Sequence, residues 1–103
     1  PKAYHWLKLK NKLKELNMTA EVQVYSTTFC PYCVRAKSLL ERKGVAFTEI
    51  NLDSEAPEVK VELMQKTKQR TVPQIFINNE FIGGFDQLYA LEKAGKLDEL
   101  LAQ

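Results

Sequence analysis

The apolar residues change period several times along the chain, and each change marks an element. Glu21-Val22-Gln23-Val24-Tyr25 alternates polar and apolar positions with β-branched residues, which predicts a strand. From Cys33 the spacing turns helical: Ala36, Leu39 and Leu40 supply a face to bury, and Gly44 follows Lys43 as a stop. Phe47–Asn51 predicts a second short strand. Pro57 suits a first helical turn, and Val59, Leu63 and Met64 form the stripe of a second helix ending near Thr67. Gln74–Ile77 and Glu80–Ile82 flank Asn78-Asn79, two residues that tolerate positive φ, so a hairpin is expected. Gly83-Gly84 interrupts the pattern. Asp86–Lys93 then predicts a third helix stopped by Gly95, and Leu97–Leu101 a short last one.

The order β-α-β-α-β-β-α predicts an α/β sandwich with a four-stranded mixed sheet flanked by helices. The first two strands would be parallel through a right-handed crossover, and an antiparallel hairpin would complete the sheet. At 103 residues the expectation is one domain, residues 18–103, with one core. Ahead of it, Trp6, Leu9, Leu13 and Leu16 share a helical face among lysines, so residues 1–17 predict an extra amphipathic, basic helix. Such a helix suits a membrane surface, a partner groove or its own domain. The reading favoured here is an appended extension ahead of Met18, with no membrane partner expected.

Charge sharpens the picture. The net +2 divides into +4 on residues 1–17 and −2 on the rest, where ten basic residues face twelve acidic ones. A mildly acidic body argues against a nucleic-acid binder. No apolar run approaches the roughly 18 residues of a membrane span, and no signal-peptide pattern is seen. The expected compartment is the cytoplasm, where a Cys-x-x-Cys pair more often serves redox catalysis or metal binding than structure.

The chain's two cysteines are Cys30 and Cys33, with Pro31 and Tyr32 between them at the junction of the first strand and helix. Unpaired N–H groups at a helix start favour a thiolate, and can lower a cysteine pKa from about 8.5 to about 3.5–7.5. Cys30 is therefore the expected nucleophile and the more exposed of the two, with Cys33 placed to resolve a mixed disulfide. Arg35 and Lys37 either add positive field or point to solvent, the second being favoured. Zinc needs more ligands than this pair and His5 supply, so no metal is expected. A purely structural disulfide would close too short a loop to stabilise much.

Cys30-Pro31-Tyr32-Cys33 at a strand-to-helix junction resembles the active site of the dithiol glutaredoxins, which have the thioredoxin-like three-layer fold. Thr71-Val72-Pro73 resembles that family's cis-proline segment, and Gly83-Gly84-Phe85-Asp86 its glutathione motif; together the match covers residues 21–102. The resemblance implies a glutathione-dependent thiol–disulfide oxidoreductase with Cys30 and Cys33 as catalytic residues. It implies glutathione contacts from Thr27, Tyr32, Gln69, Thr71, Val72, Pro73, Gly84, Phe85 and Asp86. Val72 would pair with the cysteinyl backbone, the helix opened by Gly84 would take the γ-glutamyl carboxylate, and Asp86 would meet its ammonium group or act as an N-cap. Gln69 and Arg70 would meet the glycyl carboxylate.

Thr27 stands where many members carry a lysine, and Phe85 where many carry a small residue or cysteine. Cys30 would attack a protein disulfide or the protein sulfur of a glutathione mixed disulfide, and glutathione would restore the dithiol. The implied partners are glutathione and disulfide-bearing or glutathionylated proteins, ribonucleotide reductase among the candidates, for a monomeric enzyme. The alternative is a carrier of a glutathione-ligated [2Fe–2S] cluster, which a Cys-Pro-Tyr-Cys site usually disfavours. A hydrogen donor recycled by thioredoxin reductase is the third reading, and the intact proline and glycine motifs speak against it.

Overall fold

The computed structural model describes residues 20–103, so the helix expected within residues 1–17 lies outside the described residues. The elements are β1 (Val22–Ser26), α1 (Pro31–Arg42), β2 (Thr48–Asn51), a 3-10 turn (Leu52–Ser54), α2 (Pro57–Thr67), β3 (Gln74–Ile77), β4 (Glu80–Gly83), α3 (Phe85–Lys93) and α4 (Leu97–Leu101). The sheet order is β2-β1-β3-β4. β1 runs parallel to β2 and antiparallel to β3, and β3 is antiparallel to β4. This is the mixed sheet expected from the sequence.

The central strands explain the sheet. Val22 and Val24 of β1 and Ile75 and Ile77 of β3 point to one face, where they meet Ala36, Leu39 and Leu40 of α1, Leu88 of α3, and Leu97 and Leu101 of α4. Phe76 points to the other face and packs with Leu52 and Leu63 of α2, with Tyr25, Val59, Val72 and Phe81 around them. A strand covered on both faces reads as an unbroken apolar run, which is why Ile75-Phe76-Ile77 does not alternate. Helices therefore lie on both sides of one sheet, giving three layers.

Local chemistry sets the boundaries. Asn78 and Asn79 take φ of +52° and +66°, the turn geometry that lets a two-residue loop follow the twist of its strands. Asn78 also ties the turn to the edge of β1: its N–H donates to the Glu21 carbonyl at 2.8 Å and its Oδ1 accepts the Glu21 N–H at 2.9 Å. α1 starts two residues earlier than the apolar spacing indicates, because its first turn holds exposed Pro31 and Tyr32. At its far end Gly44, at φ +73°, turns the chain out of the helix. Lys43 then joins three helices, with Nζ 2.6 Å from Glu92 of α3 and 3.0 Å from Asp98 of α4.

Candidate active site

Cys30 is the N-cap of α1, in extended conformation, and Pro31 occupies the first helical position, where a missing N–H leaves no bond unmade. The Cys33 backbone N–H donates to Cys30 Sγ at 3.1 Å, so the amide end of the helix is aimed at this sulfur. The two cysteines form a disulfide, with Cα atoms 5.2 Å apart. Cys30 is half-buried whereas Cys33 is 1% exposed, which matches the expected division between an outer and an inner sulfur.

The loop entering this turn is fastened from β2 and the 3-10 turn. Asp53 accepts the Thr28 backbone N–H at 2.8 Å, Asn51 Nδ2 reaches Thr28 Oγ1 at 3.3 Å, and Asn51 Oδ1 accepts the Asp53 N–H at 2.9 Å. The Thr28 N–H, with its hydroxyl behind it, holds the Asp53 carboxyl below the ordinary carboxylate value. Deeper in, buried Ser26 donates to Glu49 Oε2 at 2.7 Å, and Lys37 reaches the same oxygen at 2.7 Å. Lys37, then Ser26, keep the Glu49 carboxyl below its ordinary value. Lys37 is thus paired with Glu49, neither a free field for the thiolate nor simply solvated. Arg35 lies over the Tyr32 ring, 5.1 Å from its centroid.

Across from the disulfide, the Val72–Pro73 peptide bond is cis, as expected, and Cys30 Sγ lies 3.8 Å from the Val72 carbonyl oxygen. The Val72 N–H donates no hydrogen bond among the described residues. Beside this segment is a cavity of about 390 Å³ lined by Tyr32, Gln69, Thr71, Val72, Pro73, Gly84, Phe85, Asp86 and Gln87. Eight of the ten residues named for glutathione contact therefore meet in one cavity. Thr27 does not line it, and Arg70 lines a different groove.

Two residues went unremarked in the sequence. Gln87 lines the cavity and caps the start of α3, its Oε1 accepting the Gly84 N–H at 2.8 Å; the signal was a glutamine three residues after the helix N-cap. Gln74 is fully buried and its Nε2 donates to the carbonyls of Gln69 (2.9 Å) and Thr71 (3.1 Å), fixing the cavity wall from behind. Its signal was a polar residue heading an apolar strand. Phe85 stacks on Tyr89 at 5.7 Å and leans on Tyr32 at 6.3 Å, so it forms an aromatic rim instead of filling the cavity.

The family model for glutaredoxins matches residues 22–82. The chain belongs to the glutaredoxin family. A glutaredoxin of Pseudomonas aeruginosa is 56% identical over 81 residues, covering 79% of this chain and 95% of that protein. Glutaredoxin 3 of Escherichia coli K12 is 49% identical over 82 residues, covering 80% of this chain and 98% of the relative. Among solved structures, the buckwheat glutaredoxin–glutathione complex superposes with a TM-score of 0.76 at 36% identity, over 88% of this chain and 84% of that one. Wheat glutaredoxin gives 0.75 at 44% identity, over 87% and 85%. This glutaredoxin is a glutathione-dependent thiol–disulfide oxidoreductase, and the thioredoxin-like fold is the one expected.

Proposed function

We propose that glutathione occupies the cavity beside Val72 with its sulfur at Cys30, and that protein disulfides and glutathionylated proteins are reduced there. The observation that carries this reading is the meeting of Cys30 Sγ, the Val72 backbone and the N-terminus of α3 around one cavity. The cysteinyl backbone pairs with Val72. The N–H groups opening α3 receive the γ-glutamyl carboxylate, Asp86 faces its ammonium group, and Gln69 meets the glycyl carboxylate. Arg70 lines the neighbouring groove instead.

In the reduced enzyme the Cys33 N–H favours the Cys30 thiolate. That thiolate attacks one sulfur of a protein disulfide, a Cys30–protein disulfide forms, and the other protein sulfur leaves and takes a proton. Cys33 gives up its proton and attacks Cys30 Sγ, which releases the second protein thiol and leaves the intramolecular disulfide. One glutathione opens that disulfide at Cys30, and a second displaces the first as glutathione disulfide. Two electrons thus pass from two glutathiones to the substrate. With a glutathionylated protein, a cavity shaped for the tripeptide favours attack on the glutathione sulfur, instead of the protein sulfur expected from sequence; the protein leaves as a thiol. The class operates near −200 to −230 mV, within reach of a cytoplasmic glutathione pool, which is where we place this enzyme.

The reading is tested on Cys30→Ser and Cys33→Ser in a glutathione-coupled assay. Cys30→Ser is expected to lose all turnover. Cys33→Ser is expected to keep turnover of a glutathione mixed disulfide and to lose reduction of protein disulfides. Turnover surviving in Cys30→Ser overturns the assignment.

A further inference from the structure

A second and larger cavity, about 660 Å³, is lined by Lys60, Val61, Met64, Gln65, Lys68 and Arg70. Its lining holds three cations and no carboxylate. None of the three makes an ion pair among the described residues, whereas Lys37 and Lys43 are paired. Glu62 of the same helix lines a separate cavity together with Lys66. Between the cations, Val61 is 55% exposed and Met64 half-buried, so the floor is apolar. This concentration of positive charge sits on a body whose net charge is −2, and of the three cations Lys60 alone is felt by a neighbouring carboxylate, that of Asp53, without forming an ion pair with it.

The groove shares a wall with the redox cavity. Along residues 68–71 the side chains alternate: Lys68 and Arg70 line this groove, and Gln69 and Thr71 line the cavity beside Val72. Residues 68–71 thus stand between the two cavities, with Lys68 and Arg70 on one side and the cavity beside Cys30 on the other.

We propose that this groove docks an acidic segment of a protein substrate, one bearing an apolar side chain, while that substrate's disulfide is presented to Cys30. The inference rests on the oxidoreductase reading above and adds a protein-recognition surface to it. Charge rules out the chain's own residues 1–17 as occupant, because they carry +4. A second copy is a poor fit as well. The acidic and apolar stretch Leu97–Leu101 has Leu97 and Leu101 fully buried and Asp98 engaged by Lys43. Exposed charges act mainly through encounter and orientation, so the groove should raise kcat/KM for acidic substrates and lose that effect in salt.

The test uses synthetic peptides closed by an internal disulfide, with a run of glutamates and one leucine on either side of the disulfide, and counterparts carrying glutamine for glutamate. Reduction by the full chain is followed with glutathione and glutathione reductase. The wild type should prefer the best acidic peptide over its counterpart by about 10-fold at low ionic strength, and the preference should shrink in salt. Lys60→Glu/Lys68→Glu should abolish or invert that preference, and Lys60→Gln/Lys68→Gln should weaken it. The glutathione mixed disulfide of 2-mercaptoethanol should be turned over equally by all three proteins. Equal rates on acidic and neutral peptides in the wild type, or an acidic preference that survives charge reversal, overturn the docking proposal. Failure on the small mixed disulfide overturns the underlying reading instead.

Discussion

The buried amide of Gln74 holds the carbonyl of Gln69 at 2.9 Å, so the wall of the cavity beside Val72 is fixed from inside the core. The same nitrogen reaches the Thr71 carbonyl at 3.1 Å, while Oε1 is buried with no hydrogen-bond partner among the described residues. Gln74→Leu should lower stability by only about 1–2 kcal/mol, since the freed carbonyls belong to half-buried Gln69 and exposed Thr71 and the orphaned oxygen goes too. Its signature is a raised KM for glutathione with kcat at saturation little changed. Gln74→Glu should be worse at neutral pH, by about 3 kcal/mol or more, because it buries an unpaired charge. Burial raises that carboxyl's folded pKa, so the penalty is present above it and is relieved as pH falls through it. Urea unfolding at pH 7 and pH 4.5 checks the order; equal penalties at both refute it.

Asp53 acts on the nucleophile through the loop that precedes it. Its carboxylate accepts the Thr28 N–H two residues before Cys30, and its folded pKa is lowered. A depressed carboxyl contributes stability above its unfolded pKa and loses it as pH falls through the folded value. The difference between wild type and Asp53→Ala should therefore be full at pH 7 and disappear under acid. At pH 7 the variant should lose about 3- to 10-fold in kcat/KM by misplacing Cys30, with the fold intact. An unchanged rate refutes the positioning role.

Most elements were legible because burial follows the apolar period, and β3 shows this in its unbroken Ile75-Phe76-Ile77. The start of α1 was less so, since Pro31 and Tyr32 of its first turn are exposed and give no apolar signal. In the site, cysteines, proline and glycines are readable because their chemistry is local. Gln74 and Gln87 are not, because what a polar side chain holds depends on the backbone folded beside it. The division of Gln69 from Arg70 was hidden for a related reason. Lys68 takes φ +63° at the end of α2, and a lysine in that conformation has no mark in sequence. Lys37 likewise found Glu49, twelve residues on, only through the parallel pairing of β1 and β2.

Lys43 links the helices behind the sheet, and its pKa is raised by Glu92 first and then Asp98. A raised lysine stabilises the fold below its unfolded pKa and ceases to do so as pH rises through the folded one. Lys43→Met should cost about 1 kcal/mol, mostly through Glu92, since Asp98 is 60% exposed and well screened. The cost should be steady from neutral pH to about pH 10 and vanish above it. It should fall in salt and leave kcat untouched. A cost that persists in strong alkali would point to lost packing of the lysine stem.

Gly83 and Gln87 couple the hairpin to the cavity. Gly83 sits at φ +125°, and a Cβ there would come within 2.8 Å of Gln87 Cγ and 2.9 Å of its Oε1. Gly83→Ala should therefore lower stability by about 2 kcal/mol, from backbone strain and from displacing the side chain that caps Gly84. Gln87→Ala removes the cap without the strain and should cost about 1 kcal/mol. In Gly83→Ala/Gln87→Ala the clash is gone, so the double variant should be more stable than the sum of the single losses implies. Both single variants should raise KM for glutathione, because the N–H groups at the start of α3 lose their alignment. Strict additivity in urea unfolding, with KM unmoved, would show that Gln87 neither feels Gly83 nor shapes the cavity.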